Sequence, residues 1–242
     1  MDRQDQKRSF LRKLGTMGAV ATLGLAGGAA GKQTKTVLPS NRSEDEAQVA
    51  ALLVRWGYAR DSDDWETLSR CFHEGATIKI SWISAAATDF VERSKAMAAA
   101  RKPGSHLKHI ISPPWIRINN NKAFTRTHAT LYIRENVEGH EVDITSWIRF
   151  FDFMERRENG WGIVKRMGVY EKDRMDPVDP RGFPPGFFDG MDLSRFPASA
   201  KFLCYWLQRI GRPSSAENIV SVHSDGERAL LRQGEDWLAS AK

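Results

Sequence analysis

Apolar positions recur along this chain with two different periods, and the change from one to the other divides it. From Ser43 to about Tyr58 the spacing is helical: Ala47, Ala50, Ala51 and Val54 stand three or four apart behind Ser43-Glu-Asp-Glu46, which reads as a capping box. A second, short helix follows, capped by Ser62 or Asp63, with Trp65, Leu68 and Phe72 as its apolar stripe. Ala76 to Ser84 has strand character. Thr88 to Arg101 returns to helical spacing, offers Phe90, Val91 and Met97 for burial, and is stopped by Pro103-Gly104.

Beyond Gly104 the period shortens. Residues 105–118, 123–135, 141–156 and 161–172 are rich in Ile, Val, Thr, Phe, Trp and Tyr, and Asn119-Asn-Asn-Lys, Val137-Glu-Gly-His and Arg157-Glu-Asn-Gly separate them. The pattern predicts sequential antiparallel strands. Helices grouped ahead of a run of strands predict an α+β domain, with helices on one face of a curved sheet. Within 123–135, Ala129, Leu131 and Ile133 share one face, and Arg126, His128, Thr130 and Tyr132 the other. That mixed outer face suits a contact with a second subunit, so a dimer or trimer is expected. Residues 176–188 are too rich in proline for a strand or helix interior, and two amphipathic helices follow, at about Ala198–Ile210 and Asp225–Ala241. The second of these has Leu230, Leu231, Trp237 and Leu238 on its apolar side. The tail reads equally as a lid or subunit clasp and as an extension covering the sheet.

Charge changes the picture only at the N-terminus. The chain has 242 residues and a formal charge of +6, and residues 1–31 supply half of that excess. A remainder of +3 without a basic stripe gives no support for nucleic-acid binding. Lys7-Arg-Ser-Phe-Leu-Arg12, an uncharged run from Leu14 to Ala30, and the small residues Gly28-Ala29-Ala30 make up the three regions of an export signal. The basic motif resembles the twin-arginine signal, with Lys7 where its first arginine belongs. Residues 1–31 are thus expected to be a signal peptide and 32–42 a linker, giving a periplasmic or otherwise exported protein. A cytoplasmic tail and an uncleaved anchor are the other readings. The run is too short and too weakly apolar for a membrane span, which needs roughly 20 apolar residues.

Candidate chemistry is sparse. Cys71 and Cys204 lie among apolar residues and read as buried free thiols, with a disulfide as the alternative. No Cys/His cluster has metal spacing, since His106 and His109 fall three apart in a strand and point to opposite faces. His109 shares a face with Leu107 and Ile111, so it points inward, and His106 lies with Lys108 on the outer face. An acidic partner at Asp61 would fix the tautomer of His109 and raise its basicity, which suits removal of a proton from carbon. Asp61 also belongs to an Asp/Ser cluster that could merely end one helix and cap the next. Arg166 and Asp143 sit in strands, as a pair steadying an oxyanion or as a surface salt bridge. Trp82, Trp147 and Phe151 are candidate aromatic pocket wall, and equally candidate core.

Residues 43–175 resemble the SnoaL-like branch of the nuclear transport factor 2 superfamily, and 176–242 form an addition to it. The resemblance implies a cone of curved antiparallel sheet wrapped around three N-terminal helices and closed over an apolar pocket. Gly160-Trp161-Gly-Ile163 before the last strand fits that branch, and within it Asp61-Ser-Asp-Asp-Trp-Glu-Thr-Leu68 and the strand histidine His109 resemble scytalone dehydratase and hexachlorocyclohexane dehydrochlorinase. In those enzymes an aspartate at the position of Asp61 supports a histidine base at the position of His109. Arg60 stands where scytalone dehydratase has a tyrosine, Ser81 or Trp82 where it has a second one, and Tyr58 lies two positions before Arg60.

The resemblance therefore implies a cofactor-independent lyase or dehydratase that performs β-elimination on a small apolar substrate, aromatic or polycyclic. Asp61 and His109 would be catalytic, with Tyr58, Trp82, Asp143, Trp147 and Arg166 as further substrate-binding candidates. An isomerase or polyketide cyclase using the same two residues, and a non-catalytic binding or assembly module of the same fold, stay open. No metal, nucleic acid or membrane partner is expected.

Overall fold

The computed structural model describes residues 41–241 apart from Pro213 and Ser215, so the signal-like segment and most of the linker lie outside the described residues. Helix α1 (Arg42–Asp61) runs straight into the turn that precedes α2 (Trp65–Arg70), and strands β1 (Phe72–Ile80) and β2 (Ile83–Ala86) lead to α3 (Ala87–Ala99). Then come β3 (His106–Ile111), β4 (Trp115–Asn119), β5 (Lys122–Val137), β6 (His140–Arg157) and β7 (Gly160–Pro177). Helix α4 (Lys201–Arg209), the short β8 (Val220–Ser221) and α5 (Asp225–Ala239) complete the chain.

The expected α+β architecture holds, with one sheet of eight strands in the order β2-β1-β7-β6-β5-β3. It is mixed rather than wholly antiparallel, because β1 and β8 both pair parallel to β7, along successive parts of that long strand. The expected strand 105–118 is two strands. Ser112-Pro113-Pro114 interrupts it, since proline has no N–H for a ladder, and β3 and β4 pair with successive stretches of β5. β7 runs on to Pro177, into the stretch expected to be irregular.

The N-terminal helix corrects two expectations. Asn41 is its N-cap, so Ser43 is already inside the helix and no capping box forms. Asp45 instead turns inward, where it is buried and accepts hydrogen bonds from Arg156 at 2.8 Å and from the Trp161 indole at 2.8 Å. The buried stripe is Val49, Leu52, Leu53 and Trp56, not Ala47, Ala51 and Val54. Leu and Trp bury far more apolar area than Ala, so they decide which way the helix turns. At the next turn Asp64, rather than Ser62 or Asp63, caps α2 by accepting from the Thr67 N–H at 3.0 Å.

The sheet is buried on both sides along part of its length. Its inner face packs on α1 to α4 and carries the main core, including Trp56, Phe90, Ile148, Phe150 and Tyr170. Its outer face carries a second cluster of Phe124, Phe151, Phe153, Met167 and Val169 beneath Leu230 and Leu238 of α5. Of the two C-terminal helices, α4 packs on the inner face of the sheet and α5 covers its outer face. Gly234 makes the close approach on that side, since a Cβ there would lie 2.4 Å from the Phe124 ring. Both cysteines are buried and free. Among the described residues no helix is long and apolar enough to cross a membrane.

Candidate active site

Helix α1 crosses β3 at Gly57, where an added Cβ would lie 2.7 Å from Ile111 Cγ1. That close approach sets the site, because one turn further on the helix ends at Asp61, opposite His109 in the middle of β3. β3 is an edge strand, so its outward N–H groups have no ladder partner on that side. Asp61 answers one of them. Its Oδ2 accepts from the His109 backbone N–H at 2.6 Å, and its Oδ1 lies 2.7 Å from His109 Nδ1.

A carboxylate that close to Nδ1 holds the ring proton there and leaves Nε2 as the free lone pair. Trp56 meets the imidazole edge-on, with ring centroids 5.4 Å apart. The His109 side chain is 10% exposed, and its pKa lies below the usual histidine value because burial disfavours the imidazolium. Hydrogen bonding and charge from Asp61 oppose that shift, and Arg60 and Arg166 add to it. The imidazole is therefore neutral near pH 7, the form in which it takes up a proton.

His109 lines a chamber of about 40 Å³, with Trp56, Trp82, Phe90, Phe150 and Tyr170 among its walls. Helix α4 contributes Leu203, Trp206 and Leu207. Space of that size holds about three waters. A wider vestibule of about 420 Å³ adjoins it, and Arg60, Met97, Leu107 and Trp206 line both. A ring-sized ligand must draw on the two spaces together.

Tyr170 is a polar wall residue that sequence reasoning passed over. Its hydroxyl accepts from the Ser81 N–H at 2.6 Å, and burial pushes its pKa up to about 12. It thus stays protonated, with its own hydrogen available to an acceptor in the chamber. The signal was parity: Arg166, Gly168 and Tyr170 alternate along β7, so an inward Arg166 carries Tyr170 to the same face.

Several candidates lie elsewhere. Tyr58 is 75% exposed, because it follows Val54 on the solvent side of α1. Trp147 lies outside the chamber and packs under Lys172, whose Nζ is 4.8 Å from the ring centroid. Phe151 belongs to the outer cluster under α5, and its neighbour Phe150 takes the wall position. Asp143 does not pair with Arg166. It receives two hydrogen bonds from Arg134, at 2.8 and 2.6 Å, and both side chains are 42% exposed. Arg166 pairs instead with Asp152, its neighbour across β6 and β7, through bonds of 2.6 and 3.0 Å. Its guanidinium lies over Trp56 and Phe150, at 4.1 and 4.5 Å, so those rings stand between it and the chamber. Trp82 remains a wall residue. Among the described residues no group of three or more His, Cys, Asp or Glu side chains could hold a metal ion.

Comparison with known proteins gives the family of the chain. Residues 41–167 match the family described as SnoaL-like domain. Pea pathogenicity protein 2 of Fusarium vanettenii is 32% identical over 210 residues, covering 83% of this chain and 88% of that protein. Among solved structures, LinA is 16% identical with a TM-score of 0.45, covering 60% of this chain and 96% of its own. A nuclear transport factor 2-like superfamily protein from Salmonella enterica is 15% identical with a TM-score of 0.46, covering 52% of this chain and 91% of its own.

Proposed function

Since this chain belongs to the SnoaL-like domain family, we propose that it is a lyase in which His109 removes a proton from carbon and a β-substituent departs. The observation that carries this reading is the 2.7 Å contact between Asp61 and Nδ1 of His109, a residue that lines the chamber, which leaves Nε2 as the basic nitrogen. Nε2 takes a proton from a carbon beside a carbonyl. The C–H electron pair forms the new double bond, and the leaving group departs with the electrons of its own bond. Where that group is hydroxide, the imidazolium returns the proton to it, and the products are an alkene and water. The chain supplies every group used.

Tyr170 donates its hydroxyl hydrogen to the substrate carbonyl, where negative charge develops as the proton leaves. Asp61 holds the imidazole in the required tautomer and stabilises the imidazolium. A general base of this kind contributes roughly 10² to 10⁴ in rate. Aromatic walls from Trp82, Phe90 and Phe150 suit a flat, largely apolar substrate.

The test is mass spectrometry of a panel of aromatic β-hydroxy and β-halo carbonyl compounds, incubated with wild-type protein and with His109→Ala. Wild-type protein is expected to convert a member with loss of water or hydrogen halide, and His109→Ala to do so roughly 10² to 10⁴ times more slowly. Equal turnover by the two proteins rejects the base. A product of unchanged mass means that the same residues perform an isomerisation.

A further inference from the structure

Only two arginines are buried among the described residues, and they differ in one respect. Arg166 has Asp152. Arg60, 5% exposed at the last turn of α1, has no hydrogen bond or ion pair with any described residue. Asp61 and Asp63 act on it only through space, and its guanidinium lies 5.8 Å from the centre of the Trp65 ring. Burial pushes its pKa down to about 10, so it is still a cation at neutral pH. An unpaired buried charge is costly, and a site that keeps one is incomplete without an anion.

The surroundings repeat the same sign. Arg60 lines both the chamber and the vestibule, and the vestibule adds Arg101, Lys102, Arg209 and Arg212 against a single acid, Glu135. Arg101 is tied to Asp63 and Arg209 to Glu138, and Glu135 accepts a hydrogen bond from Ser105. Arg212 holds no carboxylate among the described residues and lies 5.4 Å over the Trp82 ring at the chamber wall. A concave space lined by one sign of charge concentrates ligands of the other.

We propose that Arg60 anchors the substrate, and that the substrate is an aromatic carboxylate whose acid group sits on this guanidinium with its ring directed toward His109. This rests on the elimination reading above and narrows its substrate class. A guanidinium presents two parallel N–H groups to a carboxylate, which fixes orientation as well as charge. Arg60 and Asp61 are adjacent in sequence, so the end of one helix places both the anchor and the partner of the base.

The probes are 2-naphthoate and its neutral counterpart 2-naphthylmethanol, titrated by calorimetry into wild-type protein, Arg60→Gln and His109→Ala. Wild-type protein is expected to bind the acid at least about tenfold more tightly than the alcohol, the scale of one charge-assisted hydrogen bond. Arg60→Gln is expected to erase that preference by weakening the acid alone, with the alcohol within about twofold of wild type. His109→Ala keeps the preference. Equal affinities in wild type, no binding of the acid, or an unchanged preference in Arg60→Gln overturns the proposal. If Arg60→Gln does not fold, a crystal of wild-type protein with 2-naphthoate decides, since a carboxylate lodged away from Arg60 overturns it equally. Wild-type protein that shows no preference beside intact His109-dependent turnover rejects the anchor alone. A preference kept by a protein whose turnover ignores His109 rejects the elimination alone.

Discussion

Two pairs of a carboxylate with a nitrogen side chain stand at the inner face of this sheet, and they do opposite things. Asp152 and Arg166 face each other across adjacent strands, joined by two hydrogen bonds and at most 1% exposed. Asp61 and His109 come from a helix end and an edge strand, and the imidazole, which lines the chamber, uses one nitrogen for the carboxylate and keeps the other free of it. The first pair is shut off by Trp56 and Phe150, which cover the guanidinium. The second is open at one atom. A guanidinium paired and covered is structural, whereas a neutral imidazole that gives one nitrogen to a carboxylate and keeps a lone pair on the other is available for chemistry.

If that distinction is right, the largest loss of stability comes from the closed pair. Asp152→Ala strands a buried guanidinium, which costs roughly 3–5 kcal/mol. In urea unfolding the midpoint is expected to fall with little change in slope. A variant that kept its midpoint but lost turnover would break the comparison, and would make Arg166 part of the chemistry after all.

Asp61→Asn has a smaller effect of another kind. Loss of the group that orients a reactive histidine costs roughly 10- to 100-fold in activity, and unfolding is expected to move less than for Asp152→Ala. The pH profile sharpens this further. If His109 is the base it acts as the neutral imidazole, and activity falls on acidification through a midpoint below 6.5. Asp61 contributes the two interactions that raise the His109 pKa, so Asp61→Asn shifts that acid limb to lower pH still. Stability follows the same sign: the folded pKa lies below the unfolded one, so the contribution of His109 is present above about 6.5 and is lost as pH falls through the folded value. An acid limb above 6.5, or one that Asp61→Asn leaves in place, contradicts the assigned geometry.

How far these pairs were legible in the sequence differs for physical reasons. The strands announce themselves, because β5 alternates cleanly and turns with left-handed residues, Asn120 and Glu138-Gly139, bound it. The stripe of α1 was misread because alanines were given the same weight as Leu52 and Trp56. Burial on both faces hides alternation in β6, where Phe150 serves the chamber and Phe151 the outer cluster. Parity does resolve its acids: Asp152 shares a phase with Ile144, Ile148 and Phe150, and Asp143 takes the opposite one. No spacing rule predicts that Asp61 meets a strand 48 residues away, and the family resemblance is what favoured that pairing over a helix cap. The isolation of Arg60 depends on what α4 and the loops around it bring to the vestibule, which no local pattern records.

The smallest expected effect belongs to the third pair, Asp143 with Arg134. It has the same bidentate form as Asp152 with Arg166, at 2.8 and 2.6 Å, and it also joins neighbouring strands. Only its surroundings differ, since both side chains are 42% exposed and neither borders the chamber. Water and salt screen an exposed pair, and many such pairs contribute nothing that can be measured. Asp143→Ala is therefore expected to leave turnover, its pH profile and the unfolding midpoint at their wild-type values. A clear loss of stability here would mean that geometry, and not burial, separates the three pairs. The contrast between the closed pair and the open one would then need another cause.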